Sequence, residues 1–316
     1  MAVTGSKGMR GAAALMFFLP LACAGAALTP QDEQEIGKLI AQWNVFKNRP
    51  QAASAAALYA GQITFYGKTL PLSAVVEQNA AFVQKHPHYT QKIVNRLTID
   101  ALDEAQPAAQ VTFVKAAGLE ASSECYYPAT LLVAKQAEGW RIREESDWIT
   151  ESNQQKEKDY RVAGGRFNGV TKSYAWLSAS DPKTGGVCDE SGDCECDVWN
   201  SDPAIAPAKL PSCIGGGVEA LAGLDESGRD RLLIYPQWWT SAWSVAYLYD
   251  IQQKQWVKAI PSFSMNTNVQ ENVQGKELVA RDARHPGQVI VAQAKWDEEK
   301  EDIVIEKASV PLNVLN

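Results

Sequence analysis

Ile36, Leu39, Ile40, Trp43 and Phe46 recur at three- and four-residue spacing, which places them on one face of a helix. Thr29-Pro30 supplies the start, a hydroxyl at the N-cap and a proline at the first helical position, with Asp32 and Glu33 near the positive end of the dipole. An alanine-rich stretch, 50–60, continues the helical region, and 62–66 reads as a short strand. Val75, Val76, Asn79, Phe82 and Val83 repeat the helical spacing behind a Ser73 cap, and His86-Pro87 ends that helix. The period then shortens. Residues 89–99, 110–116, 126–135 and 140–147 read as strands, with Gln106-Pro107 and Glu138-Gly139 at two of the turns. Helices followed by a strand meander predict an α+β layer over 28–152.

Residues 151–166 (ESNQQKEKDYRVAGGR) are polar, charged and then glycine-rich, which predicts a boundary with a linker over 153–165. Beyond it no long helical period occurs. Strands are expected at 172–178, 231–235, 243–251, 255–260, 276–280, 288–295 and 302–310, several of them as hairpins. Residues 166–316 therefore read as an all-β domain, a sandwich or a small open barrel.

The order of elements over 30–150 resembles the NTF2-like (SnoaL-like) fold. LYAGQITFYGK (58–68) is similar to that family's entry into its first strand, and GWRIREESDWI (139–149) to its last. The resemblance implies helices packed on a curved antiparallel sheet around a cone-shaped pocket. Family members include enzymes and simple binders, so it does not choose an activity. By element order, Trp43, Tyr59, Tyr66, Asp147 and Trp148 are the expected pocket lining. A buried Asp147 among aromatics would act as a base; its place at a strand end points instead to a solvated side chain, and Trp43 on the apolar helix face to core. In the second half, YLYDIQQKQW (247–256) resembles half a kelch blade and LDESGRDRLL (224–233) a degenerate acidic FG-GAP loop, without the repetition a propeller needs.

The first 27 residues have the layout of a targeting segment. Lys7 and Arg10 precede an apolar run, 12–23, and the small residues Ala24-Gly25-Ala26. The run is shorter than the ~20 residues that span a bilayer. Export to the periplasm or beyond is expected, with a lipid anchor on Cys23 as the alternative. Loss of the segment takes the net charge from −7 to −9. Without a basic stripe, nucleic acid and anionic membrane surfaces are not expected partners.

Export also decides how CDESGDCECD (188–197) is read. Its cysteine spacing departs from zinc pairs, and no histidine lies near. Cys188, Cys194, Cys196 and Cys213 form an even set in an oxidising compartment, so two disulfides are expected. A Cys194–Cys196 ring is disfavoured. That leaves 188–194 with 196–213, or 188–196 with 194–213. Cys125 stands apart, expected as a buried thiol. His86-x-His88, the acids Asp225 and Asp230 with Ser227, and Gly215-Gly216-Gly217 each lack the ligands or residues that would complete a metal or phosphate site. No metal or cofactor is expected.

The aromatic run 235–249 (YPQWWTSAWSVAYLY) raises a second kind of site. Read as one strand, it places Trp239 and Trp243 on one face and Trp238 on the other. Trp243 is expected in the core, and Trp238 or Trp239 as an exposed partner anchor. Together these features predict an exported, non-catalytic binding protein for a small molecule, glycan or protein, with an inhibitor or immunity role included. The alternative is an enzyme using the NTF2-like pocket for hydrolysis or isomerisation.

Overall fold

The computed structural model describes residues 28–313, apart from 121, 122, 191, 271, 272 and 274. The expected targeting segment and Cys23 lie outside the described residues.

The N-terminal half runs α1 (Pro30–Asn48), α2 (Ala52–Leu58), β1 (Tyr59–Phe65), β2 (Lys68–Pro71), α3 (Leu72–Lys85), β3 (Thr90–Ile93), β4 (Thr98–Leu102), β5 (Ala108–Gly118), β6 (Cys125–Gln136), β7 (Gly139–Asp147) and α4 (Trp148–Gln154). Thr29 and Asp32 exchange hydrogen bonds as a capping box at α1, behind Pro30. Lys135 and Trp140 also donate to Asp32, which ties the start of α1 to the sheet. α3 begins one residue before the expected Ser73 cap, with Pro71 at the N-cap and no side-chain cap bond.

The sheet has the order β2-β1-β7-β6-β5-β3, with β4 also on β5, and is antiparallel except where β1 meets β7. The strand expected over 89–99 is divided into β3 and β4. Eleven-residue β5 pairs both, β3 at Lys115–Gly118 and β4 at Ala108–Thr112. Asn95, in the gap, accepts the Val114 N–H. A bulge in β7 leaves Arg143 without a partner, since Val133 pairs Ile142 and Leu132 pairs Glu144. Bulges bend and twist a sheet, and α1 and α3 pack into its hollow over Ile36, Ile40, Trp43, Val75, Val111 and Leu131. The N-terminal half is α+β, helices packed on one mostly antiparallel sheet, as its element order implies.

The second half is mostly antiparallel sheet. β8 (Val162–Gly165), β9 (Ser173–Ser180), β10 (Glu195–Asn200) and β11 (Ala208–Pro211) form one meander. β12 (Gly216–Leu221), β13 (Arg231–Pro236), β14 (Trp243–Gln252) and β15 (Gln255–Lys258) form the next, with β16 (Phe263–Asn266) on the first part of β14. Short α5 (Thr267–Gln270) and α6 (Gly275–Leu278) lead to β17 (Val279–Arg281), β18 (Gln288–Asp297) and β19 (Asp302–Pro311), the third sheet. The residues expected as a strand at 276–280 are thus mostly α6.

The three sheets pack one on the next, which gives the all-β region expected from sequence as a stack of three sheets. On β13, Leu232 and Ile234 pack against the first sheet while Leu233 packs against the third. A strand covered on both faces reads as a continuous apolar run, and LLIY (232–235) is one. The hairpin expected at QQK turns on Gln253 and Lys254, both at positive φ, as a two-residue turn of this hand requires.

Cys188 bridges Cys194 and Cys196 bridges Cys213, the first of the two expected pairings. Cys196 and Cys213 lie inside the core between the first two sheets. Cys125 is half-buried, and burial together with Asp202 and Glu124 pushes its thiol up.

The segment expected as a linker, 153–165, carries the end of α4 and all of β8. The halves meet over a buried cluster of Val114, Ile149, Val162, Trp176 and Trp199. Trp176 stacks on Trp199 at 6.3 Å, and the Tyr126 N–H donates to the Ser201 carbonyl at 2.9 Å.

Candidate functional site

On α1, Lys47 follows Trp43 by four residues and so emerges on the same inward face. It meets Glu145 of β7 at 2.7 Å, with 9% and 1% of the two side chains exposed. Glu145 also accepts hydrogen bonds from Trp43 Nε1 at 2.8 Å and from the Tyr59 hydroxyl at 2.5 Å. Lys47 donates in addition to Asn79 of α3 at 2.6 Å, and Asn79 is itself anchored on the Val75 carbonyl.

Burial alone would push the Glu145 carboxyl up. The Lys47 ammonium and the three hydrogen bonds outweigh burial and hold it below the ordinary range for glutamate. Lys47 is pushed down by the same burial, with Glu145 opposing. The two side chains thus bond each other in the interior, with Lys47 held a second time by Asn79.

A second group lies beside it. Lys115 of β5 donates to the Tyr66 hydroxyl at 3.0 Å and pairs with Asp147 at 3.6 Å. Burial works against the Lys115 ammonium, but Tyr66 and Asp147 outweigh it and raise its affinity for the proton. Burial pushes the Tyr66 phenol up despite Lys115, so the hydroxyl keeps its hydrogen. Asp147 also accepts the Thr150 N–H as the N-cap of α4.

Between α1, α3 and these groups a cavity of 260 Å³ remains, lined by Lys47, Phe65, Tyr66, Gln78, Asn79, Phe82 and Tyr89. It offers an ammonium, two amides and two phenols within aromatic walls, suited to hydrogen-bonding a small, partly apolar molecule. None of its lining residues is a carboxylate.

The structure divides the residues expected to line this pocket. Tyr66 borders the cavity. Trp43 and Tyr59 are core side chains bonded to Glu145. Asp147 is buried, not solvated, because it holds Lys115 and caps α4. Trp148 borders instead a cleft lined by residues of both halves of the chain.

Sequence reading missed Lys47, Asn79, Lys115 and Glu145. A lysine four residues after Trp43 on an apolar face was a legible signal. Glu145 was not. Alternation from Trp140 and Ile142 would turn Glu144 inward, and the bulge at Arg143 moves that place to Glu145.

The aromatic run is corrected as well. It is not one strand: β13 ends at Pro236, Ser241 N–H closes a turn on the Trp238 carbonyl, and β14 begins at Trp243. Trp239 has φ 41°, outside the strand region. Trp238 and Trp239 are half-buried and pack edge to face at 6.1 Å. Trp243, expected as core, is 41% exposed.

Other groupings serve the fold. Asp225 is engaged by Ser227 and Arg231, and Asp230 by the Arg166 N–H, so the acidic loop is a bonded turn. Ser309 and His285 both bond Asp282 and not each other, which is not the geometry of an activated nucleophile. Among the described residues no three His, Cys, Asp or Glu converge as metal ligands, and no helix is long and apolar enough to cross a membrane.

No family model and no curated protein matches the chain. Solved structures similar to it include a ketosteroid isomerase-like protein from Shewanella frigidimarina, at 18% identity over 36% of this chain and 94% of that one, TM-score 0.29. An NTF2-like protein of unknown function from Pseudomonas putida is 15% identical over 38% and 87%, TM-score 0.28. A domain with a cystatin-like fold from Nostoc punctiforme is 20% identical over 38% and 78%, TM-score 0.30.

Proposed function

We propose that the chain is an exported, non-catalytic binding protein of the bacterial cell envelope that holds a small molecule in the N-terminal cavity. The observation that carries this reading is the closed state of Glu145. A carboxylate or imidazole within reach of substrate and poised near the working pH is the commonest general base. Here the cavity lining has neither, and Glu145 is paired, triply bonded and held down.

Two disulfides support a periplasmic or secreted location, with a lipid anchor at Cys23 as the alternative. In this reading 28–152 is the ligand domain and 166–316 the stapled β domain, joined through 153–165.

Native mass spectrometry of the protein incubated with an envelope metabolite extract tests the reading. A bound small molecule is expected, released unchanged, and lost in Gln78→Trp, which fills the cavity mouth. Turnover of a model ester or a β,γ-unsaturated ketone that Gln78→Trp abolishes would restore the enzyme alternative.

A further inference from the structure

A larger cavity, 430 Å³, lies between the two domains. Its floor is the side of the N-terminal sheet that faces away from the helices. There Thr98 pairs with Thr112 and Asp100 with Gln110 across β4 and β5, a patch of cross-strand polar neighbours on one face. The row continues through Thr130 on β6 to Ser146 on β7, and the hydroxyls of these two are buried with no partner in the chain. A polar face inside a domain junction is unexpected, since burial without hydrogen bonds is unfavourable.

The opposite wall comes from the second domain. Trp239 stands over the cleft on its left-handed backbone, and the Cys188 bridge, Ile214 and Gly216 form the rim. Gly216 has φ 136°, and a Cβ there would lie 2.1 Å from the Tyr235 carbonyl oxygen, so only glycine brings the chain this close. Trp148 closes one end, with Arg161 over its ring at 5.7 Å. Trp176 lies fully buried behind the wall. The indole N–H groups of Trp176 and Trp239 have no acceptor in the chain.

The chemistry of this lining selects a class of ligand. The half-buried indoles of Trp239 and Trp148, the latter with Arg161 over its ring, give the cleft aromatic walls for a ring. Threonine hydroxyls and glutamine amides both donate and accept, which matches hydroxyl groups. Arg161 is already paired with Glu151 and Asp159, so the cleft has little free positive charge for a phosphate or carboxylate. Asp100 adds an acceptor.

We propose that the interdomain cleft binds a neutral saccharide, its ring against Trp239 and Trp148 and its hydroxyls bonded to Thr98, Asp100, Gln110 and Thr112. The site is independent of how the N-terminal cavity is used.

The test is isothermal titration and tryptophan fluorescence of the disulfide-intact protein with maltotriose, cellotriose and triacetylchitotriose. At least one should bind and shift the emission. Trp239→Ala should weaken it roughly thirtyfold, the effect of losing a hot-spot aromatic. Thr112→Val, which removes one hydroxyl at constant shape, should weaken it about tenfold. Gln78→Trp should leave it unchanged. Absence of binding by all three sugars at about 10 mM, about ten times the Kd of a 1 mM ligand, overturns the proposal. So does binding that Thr112→Val leaves intact, a variant that decides the matter even if Trp239→Ala fails to fold.

Discussion

Lys47 and Glu145 close on each other at 2.7 Å between α1 and β7, and two more donors, Trp43 and Tyr59, complete the shell of the carboxylate. Residues from the first helix, the first strand and the last strand of the domain thus meet on one side chain. Replacing Glu145 with Gln leaves a buried ammonium without its counter-charge, and should cost about 3–5 kcal/mol of stability. The double variant Lys47→Met/Glu145→Gln should recover much of that loss. Chemical denaturation of the three proteins measures both; equal stability of wild type and Glu145→Gln would contradict the structure.

The pair also sets an acid dependence. Because Glu145 is held below its unfolded value of about 4.3, its stabilisation is present in full above that pH and is lost as pH falls through the folded value. Wild type should lose stability steeply below about pH 4.3, and Glu145→Gln, already weaker at pH 7, should lose less over the same interval. Denaturation series from pH 7 to pH 3 show whether the two limbs differ; parallel limbs would mean that Glu145 contributes nothing to acid sensitivity.

What the sequence disclosed and withheld follows from the range of the interactions. The Thr29 N-cap with Pro30 behind it, the apolar face of α1, the QQK hairpin and the disulfide-forming set were legible because each is decided within a few residues. Glu145 was hidden by a one-residue bulge that no local pattern announces. Trp238 to Trp243 misled because strand alternation was assumed through a turn. The stacking of three sheets left its trace only in the unbroken apolar run of β13.

The two bridges should differ in weight. Cys196–Cys213 closes 17 residues against 6 for Cys188–Cys194 and is buried between two sheets. Loop entropy alone favours the longer by about 1 kcal/mol. Melting of Cys196→Ala/Cys213→Ala should fall well below that of Cys188→Ala/Cys194→Ala; the reverse order would show that the Cys188 loop, not the core bridge, holds the β domain.

Proteases should nick the exposed stretch at Lys156 and Lys158 without parting the halves. The cluster around Trp176 and Trp199 and the Tyr126–Ser201 hydrogen bond hold them together. Size exclusion after limited trypsin digestion should give one peak containing both fragments, and two separate peaks would mean that the interface is too weak to define a cleft.

Exposure orders the tryptophans. Trp176→Ala removes a fully buried ring and should cost about 3–5 kcal/mol. Trp243→Ala, at a 41% exposed strand start, should stay within about 1 kcal/mol. Thermal melts of the two variants give the ranking, and a collapse on Trp243→Ala alone would mean that its face is covered.

The account of the N-terminal cavity as a binding site without a catalytic base rests on the protonation of one carboxyl. Glutamate-selective ¹³C NMR across pH 2–8, assigned with Glu145→Gln, reads it directly. The account predicts that Glu145 titrates below the ordinary glutamate range or stays charged to the onset of acid unfolding. A Glu145 carboxyl titrating at about 6–7, where a general base operates, would contradict it.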